Sequence, residues 1–222
     1  MASAAAMQFE PAKSVERNDR IIVVGFPAHE TRSIRIGAHG TSLTRRALWT
    51  TQLGDRLTDC SPNGVSATVT GLTGANSSQG LQAITAARVN GFDVVLIEYA
   101  INDADLLDGI ALSESLTNHR HMISWLRKAN PGISIILLAT NPVRGIQKLK
   151  RPQLETYYTA LADLADEESV SYFDGTSRWT GRYLTSQSLP DGLHPDPKVE
   201  AELYSRPLAR MVAGSLGLSC RI

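Results

Sequence analysis

The run "DVVLIEYAINDAD" (residues 93–105) decides the fold. From Asp93 to Ala100 it is apolar on both faces rather than alternating, as a strand buried inside a parallel sheet is. Four other short runs have the same character: "IRIGAHG" (34–40), "SATVTGL" (66–72), "ISIILLAT" (133–140) and "SVSYFDG" (169–175). Between them lie stretches with helical spacing, at roughly residues 43–57, 79–90, 115–130 and 152–168, and from 197 onward. Asn130, Pro131 and Gly132 stop the third of these after Arg127 and Lys128, and Asp196 followed by Pro197 starts the last. Pro207 is expected to kink or split that last helix. The alternation is that of βαβ units and predicts an α/β fold, a three-layer α/β/α sandwich with a mainly parallel five-stranded sheet. A further apolar run, "IIVVGFP" (21–27), is expected as an extra N-terminal edge strand or hairpin arm.

At 222 residues, with 42% hydrophobic and 20% charged residues, the chain has globular proportions and enough length for one large core. We expect a flexible N-terminal tail over residues 1–19 and one domain over 20–222. The 22 basic and 22 acidic residues leave no global field to attract nucleic acid or an anionic membrane. Cys60 and Cys220 are the only cysteines; free thiols are the expectation and a single bridge the alternative. "MASAAAMQFEPAKSVERNDR" lacks the basic and apolar regions of a secretory signal, and no run is long enough to span a bilayer. The expectation is a cytoplasmic protein, unless a leader has been removed.

Open parallel sheets bind ligands at the carboxyl ends of their strands. Four such ends are unusual here: "HGTSLT", "GLTGANSS", "INDAD" and, after a spacer, "PDGLHPD". They bring Ser42, Gly74, Asn102, Asp191 and His194 to one rim. A serine hydroxyl is a weak nucleophile until an imidazole takes its proton, which makes Ser42 and His194 a natural pair. An acid three positions earlier in the same turn, Asp191, can reach the far ring nitrogen and fix the tautomer. The backbone N–H groups of Ser42 and Gly74, with the Asn102 amide, could stabilise charge developing on an attacked carbonyl oxygen. Each residue also has a plain structural role open to it. Ser42 and Asn102 could cap helices, Gly74 could serve a turn, and Asp191 and His194 could belong to a solvated loop. Four coincidences at four strand ends weigh against that set of roles.

In order and spacing, "GTSLT", the glycine after the second strand, the Asn102–Asp103 pair and "DGLHP" resemble the SGNH hydrolases of the GDSL esterase/lipase group. The resemblance covers nearly the whole chain after Ile34. It implies a flavodoxin-like strand order and a serine esterase acting through an acyl-enzyme, with no cofactor and no metal. It further implies Ser42 as nucleophile, Asp191 and His194 as the other triad members, and Ser42, Gly74 and Asn102 as the oxyanion hole. Thr41 stands where the eponymous motif has aspartate, and Ala100 where the third block usually has glycine.

With no long apolar insertion to form a lid, short acyl groups such as acetyl on a carbohydrate or other polar alcohol are the expected substrates. The expected partner is thus a small-molecule or saccharide ester. A non-catalytic module binding an acylated saccharide is the alternative; a nucleotide-binding protein is disfavoured by the lack of G-x-G-x-x-G or a P-loop after any strand. His119 and His121 read as surface residues, and His29 and His39 as structural. Trp49, Trp125 and Trp179 read as core or pocket wall, and "RGIQKLKR" (144–151) as a basic solvated loop that could border the substrate.

Overall fold

The computed structural model describes residues 18–25, 32–61, 63–87 and 91–222. Five strands, β1 (Ile34–Gly40), β2 (Val65–Gly71), β3 (Val94–Glu98), β4 (Ser134–Ala139) and β5 (Ser171–Asp174), each lie within two residues of the sequence expectation. All pair in parallel, in the order β2-β1-β3-β4-β5. This is the flavodoxin order, whose chain direction switches between β1 and β3 and opens a crevice above their carboxyl ends. The three central strands are buried on both faces, which is why their sequences do not alternate.

Helices cover both faces. On one side α3 (Ser77–Ala86), α4 (Ala100–Asp103), α5 (Leu112–Ala129) and α7 (Leu154–Glu167) pack around Val95, Ile97, Ile135 and Leu137. On the other, α2 (Trp49–Leu57) and α8 (Pro197–Ser215) enclose Ile36, Leu96, Ile136 and Phe173.

Several expectations need correction. The single helix over residues 43–57 is two, α1 (Ser42–Arg46) and α2, because Ala47 turns extended between them. Residues 146–150 of the supposed solvated loop form a short helix, α6 (Ile146–Lys150). The last helix is not split at Pro207. The missing backbone donor is tolerated because Tyr204, Leu208, Ala209 and Val212 anchor α8 on both sides of it. Cys60 and Cys220, expected as free thiols, are bridged, tying the end of α2 to the C-terminus. The N-terminal segment bridges to the sheet at a single pair, Arg20 with Tyr172, after which Ile22 N–H donates to the Ser171 hydroxyl and Val24 N–H to the Ser215 carbonyl, so residues 20–25 are not a strand. Phe26, Pro27 and residues 1–17 of the expected tail lie outside the described residues. Asp19 is anchored, accepting from Asp174 N–H at 2.9 Å and pairing with Arg178. Among the described residues no helix is long and apolar enough to cross a membrane.

Two carboxyls are buried: Glu98 at the end of β3, against Thr41 and Thr44, at 2% exposure, and Glu200 of α8 at 3%. Burial raises Glu98 to about 7, with hydrogen bonds from Thr41 and Thr44 opposing the rise. Burial, and then the neighbouring Glu98 charge, raise Glu200 to about 8. Both native values exceed the ordinary glutamate value of 4.5. The folded chain therefore keeps protons that the unfolded chain releases. Their stabilising contribution is complete below about pH 4.5 and is lost as pH rises through the folded values. Thermal midpoints should thus fall more steeply between about pH 5 and 8 for the wild type than for Glu200→Gln, which removes one of the two titrations. Parallel curves would show that Glu200 is already ionised in the fold.

Candidate active site

At the carboxyl end of β1 the chain turns through Gly40 and Thr41 into α1, and Ser42 is the first residue of that helix. Thr41, not Ser42, is the cap: its hydroxyl accepts from Leu43 N–H at 3.1 Å. The Ser42 hydroxyl instead lies 2.8 Å from Nε2 of His194. The other ring nitrogen, Nδ1, is 2.6 Å from Oδ2 of Asp191. The three residues thus form one chain of hydrogen bonds.

The loop carrying the last two is organised by the same aspartate. Asp191 Oδ1 accepts from Leu193 N–H at 2.9 Å and from His194 N–H at 2.7 Å, while Oδ2 takes the ring. A spacing of three residues closes this turn, which is why acid and imidazole share one short loop. Gly192 between them has φ +80°, and a Cβ there would lie 2.4 Å from the Arg144 carbonyl oxygen. Only glycine combines that backbone with that approach. Burial pushes the Asp191 carboxyl up, but the hydrogen bonds from His194 N–H, the His194 ring and Leu193 N–H outweigh it and hold the acid at about 2. An ionised carboxylate only accepts, so on neutral His194 the proton is on Nδ1, and Nε2 is free to accept from the Ser42 hydroxyl.

Ser42, Gly74, Asn102 and His194 line one cavity of about 190 Å³, with Thr73, Asp105, Asp108, Arg151 and Leu193. Asp191 lies behind the ring and outside the cavity. All five residues chosen from the sequence are therefore brought to one place. Asn102 is inside α4 and caps no helix; its Nδ2 donates to the Ala75 carbonyl at 3.0 Å, next to Gly74. Ala100 opens α4 without disturbing that placement. Asp103 points elsewhere, accepting from Ser77 N–H at 2.6 Å and from the Ser115 hydroxyl at 2.5 Å.

Sequence reasoning reached Arg151 only as the last residue of a basic run that could border the substrate; it is 6% exposed and paired with Asp105 at 2.9 Å. Its only signal is its place at the end of a basic run just past a strand. The other histidines stay out of the cavity. His39 is a core residue, edge-on to Phe92 and held near 4 by burial. His119 is fully buried rather than at the surface: its Nδ1 faces the Ser115 carbonyl, and burial lowers it despite nearby Asp103. His121 is exposed, and His29 lies outside the described residues. Trp49 and Trp179 are core residues. Trp125 is not: at 38% exposure it borders a surface depression with Leu81 and Lys128.

The chain matches the model of the GDSL-like lipase/acylhydrolase family over residues 33–201. No curated protein matches it in sequence. Solved structures share its fold. A lipase/acylhydrolase from Enterococcus faecalis superposes with a TM-score of 0.71 at 20% identity, covering 85% of this chain and 99% of the other. Axe2, an acetylxylan esterase from Geobacillus stearothermophilus, gives 0.66 at 18%, covering 82% and 94%.

The hydrogen-bond chain predicts an exchangeable Nδ1 proton of His194 well downfield of the amide region in proton NMR at neutral pH. That resonance should vanish in Asp191→Ala. Its persistence would assign the proton to a different acceptor.

Proposed function

Because the chain belongs to the GDSL-like lipase/acylhydrolase family and is a carboxylic ester hydrolase, we propose that Ser42, His194 and Asp191 are its nucleophile, general base and orienting acid. The carrying observation is the continuous chain from Ser42 Oγ through both ring nitrogens of His194 to Asp191. In this reading Ser42 Oγ attacks the ester carbonyl carbon as its proton passes to Nε2. The tetrahedral oxyanion is stabilised by Ser42 N–H, Gly74 N–H and the Asn102 amide. It collapses to an acyl-serine, and the alkoxide leaves with the proton from His194. Water then attacks the acyl carbon, giving its proton to Nε2, and the acid departs as Ser42 Oγ regains a proton.

The substrate we propose is a short acyl ester, such as acetyl, on a carbohydrate or other polar alcohol. A cavity of about 190 Å³ is small for a ligand site. Its wall carries Thr73, Asp105 and Asp108, groups that hydrogen-bond hydroxyls. The likeness to the acetylxylan esterase points the same way. One observation favours a second reading. Leu106, Leu107, Ile146 and Leu149 are 61–73% exposed on the two segments beside the cavity, which are joined by Leu106 N–H donating to the Lys150 carbonyl. Four such side chains suit an amphiphilic ester whose long chain lies along them.

Rates across p-nitrophenyl acetate, butyrate and octanoate decide between these: a maximum at the acetate supports the first, and one at the octanoate the second. Ser42→Ala should abolish turnover while leaving the thermal midpoint close to wild type, and a fluorophosphonate probe should label Ser42. Labelling elsewhere would refute the nucleophile. Asn102→Ala should lower kcat roughly a hundredfold to a thousandfold with KM nearly unchanged. Asn102→Asp should be no better, and wild-type rates in it would remove Asn102 from the site.

A further inference from the structure

Arg151 follows α6 at the wall of the Ser42 cavity, and its guanidinium is committed on every side. Nε donates to the Ile101 carbonyl at 2.8 Å, Nη1 to Gln147 Oε1 at 2.5 Å, and Nη2 to Asp105 Oδ2 at 2.9 Å. Nη2 also faces Oδ1 of Asn102 at 3.4 Å. Such a group is expensive to bury, and Asp105 supplies the charge that makes it tolerable. Its fork spans the carbonyl just before Asn102 and the side chain of Asn102 itself.

We propose that Arg151 is the positioning residue that fixes the orientation of the Asn102 amide; this rests on reading Asn102 as an oxyanion donor. A guanidinium has donors and no acceptor, so the amide edge facing it must be the oxygen. On the other edge the Ala75 carbonyl accepts from Nδ2 at 3.0 Å and requires the nitrogen there. Turning the amide over would set donor against donor at Arg151 and acceptor against acceptor at Ala75. The amide is thereby locked with Nδ2 toward Gly74, one N–H spent on Ala75 and the second left for the cavity. The cationic partner on Oδ1 also draws electron density from the amide and strengthens the remaining N–H as a donor. Lysine could not substitute, because one ammonium cannot reach the Ile101 carbonyl, Asn102 and Asp105 in the planar arrangement of the fork.

The test is a double-mutant cycle on p-nitrophenyl acetate with Arg151→Met, Asn102→Ala and the pair, recording kcat, KM and thermal midpoint. Arg151→Met is expected to lower kcat about tenfold to a hundredfold with KM within about twofold. In the Asn102→Ala background the same substitution should change kcat less than about twofold, since nothing is left to orient. An equal loss in both backgrounds, or no loss in either, overturns the proposal while the oxyanion role of Asn102 stands. A wild-type rate in Asn102→Ala alone would instead fail the site reading beneath it. Should Arg151→Met not fold, Arg151→Lys serves: about a tenfold lower kcat, abolished in the Asn102→Ala background, supports the role, and a wild-type kcat overturns it.

Discussion

Glu98 Oε2 accepts from Thr41 N–H at 3.0 Å, from the Thr41 hydroxyl at 2.8 Å and from the Thr44 hydroxyl at 3.0 Å. These bonds fasten the turn that leaves β1 to the last residue of β3. Gly40 is the register partner of Glu98, and a Cβ on it would lie 2.8 Å from that same carboxyl oxygen and 2.1 Å from the Thr44 hydroxyl. A glycine two residues before Ser42 is thus a consequence of the carboxyl packed against it. So is threonine at position 41. Its hydroxyl donates to Glu98 and still caps Leu43 N–H. Aspartate could cap but would set a second acceptor against Glu98 unless one of them held a proton. With Ser42 fixed from one side of Glu98 and Asn102 four residues beyond it, both are referenced to a single point at the switch between β1 and β3.

The adjacent pair Asn102–Asp103 divides its work by direction. Consecutive residues on a helical turn point about 100° apart, so one can enter the cavity only if the other leaves it. Asn102 enters. Asp103, 1% exposed, joins the start of α3 to α5 through Ser77 and Ser115. The Asn102 amide in the cavity wall therefore stands beside a buried carboxyl whose partners come from two other helices.

How much of this was legible in the sequence depended on whether the cause was local. Strand positions were, because burial on both faces imposes uninterrupted β-branched runs such as "VVLIE". The five residues at strand ends were, because turn chemistry and reactive side chains coincided there. The break at Ala47 was not: no glycine or proline marks it, and it leaves α1 at the rim while Trp49 and Leu53 of α2 reach the core. His119, read as a surface residue, is buried because α3 and α7 pack against α5. The cysteine bridge spans 160 residues, and only the tertiary fold brings its ends together. Arg151 carries the same lesson, because nothing in "KLKR" separates the one arginine that is buried from the lysines beside it.

The connection from β4 to α7 shows what that basic run is for. Asn141 Nδ2 donates to the Leu193 carbonyl at 2.8 Å, and Arg144 N–H to the Gly192 carbonyl at 2.8 Å, which brace the loop of Asp191 and His194 from below. Ten residues after Asn141, Arg151 reaches the opposite wall at Ile101, Asn102 and Asp105. One segment thus touches both the loop that holds the imidazole and the turn that holds the amide. Its backbone cannot be a freely solvated loop, because its donors are committed at both ends, and α6 is the short regular piece that spans the distance between them. On the proposed mechanism, proton transfer and oxyanion stabilisation act on one carbonyl group, which requires the separation of imidazole and amide to be held to a fraction of an ångström. A brace common to both sets that separation more directly than two independent loops would.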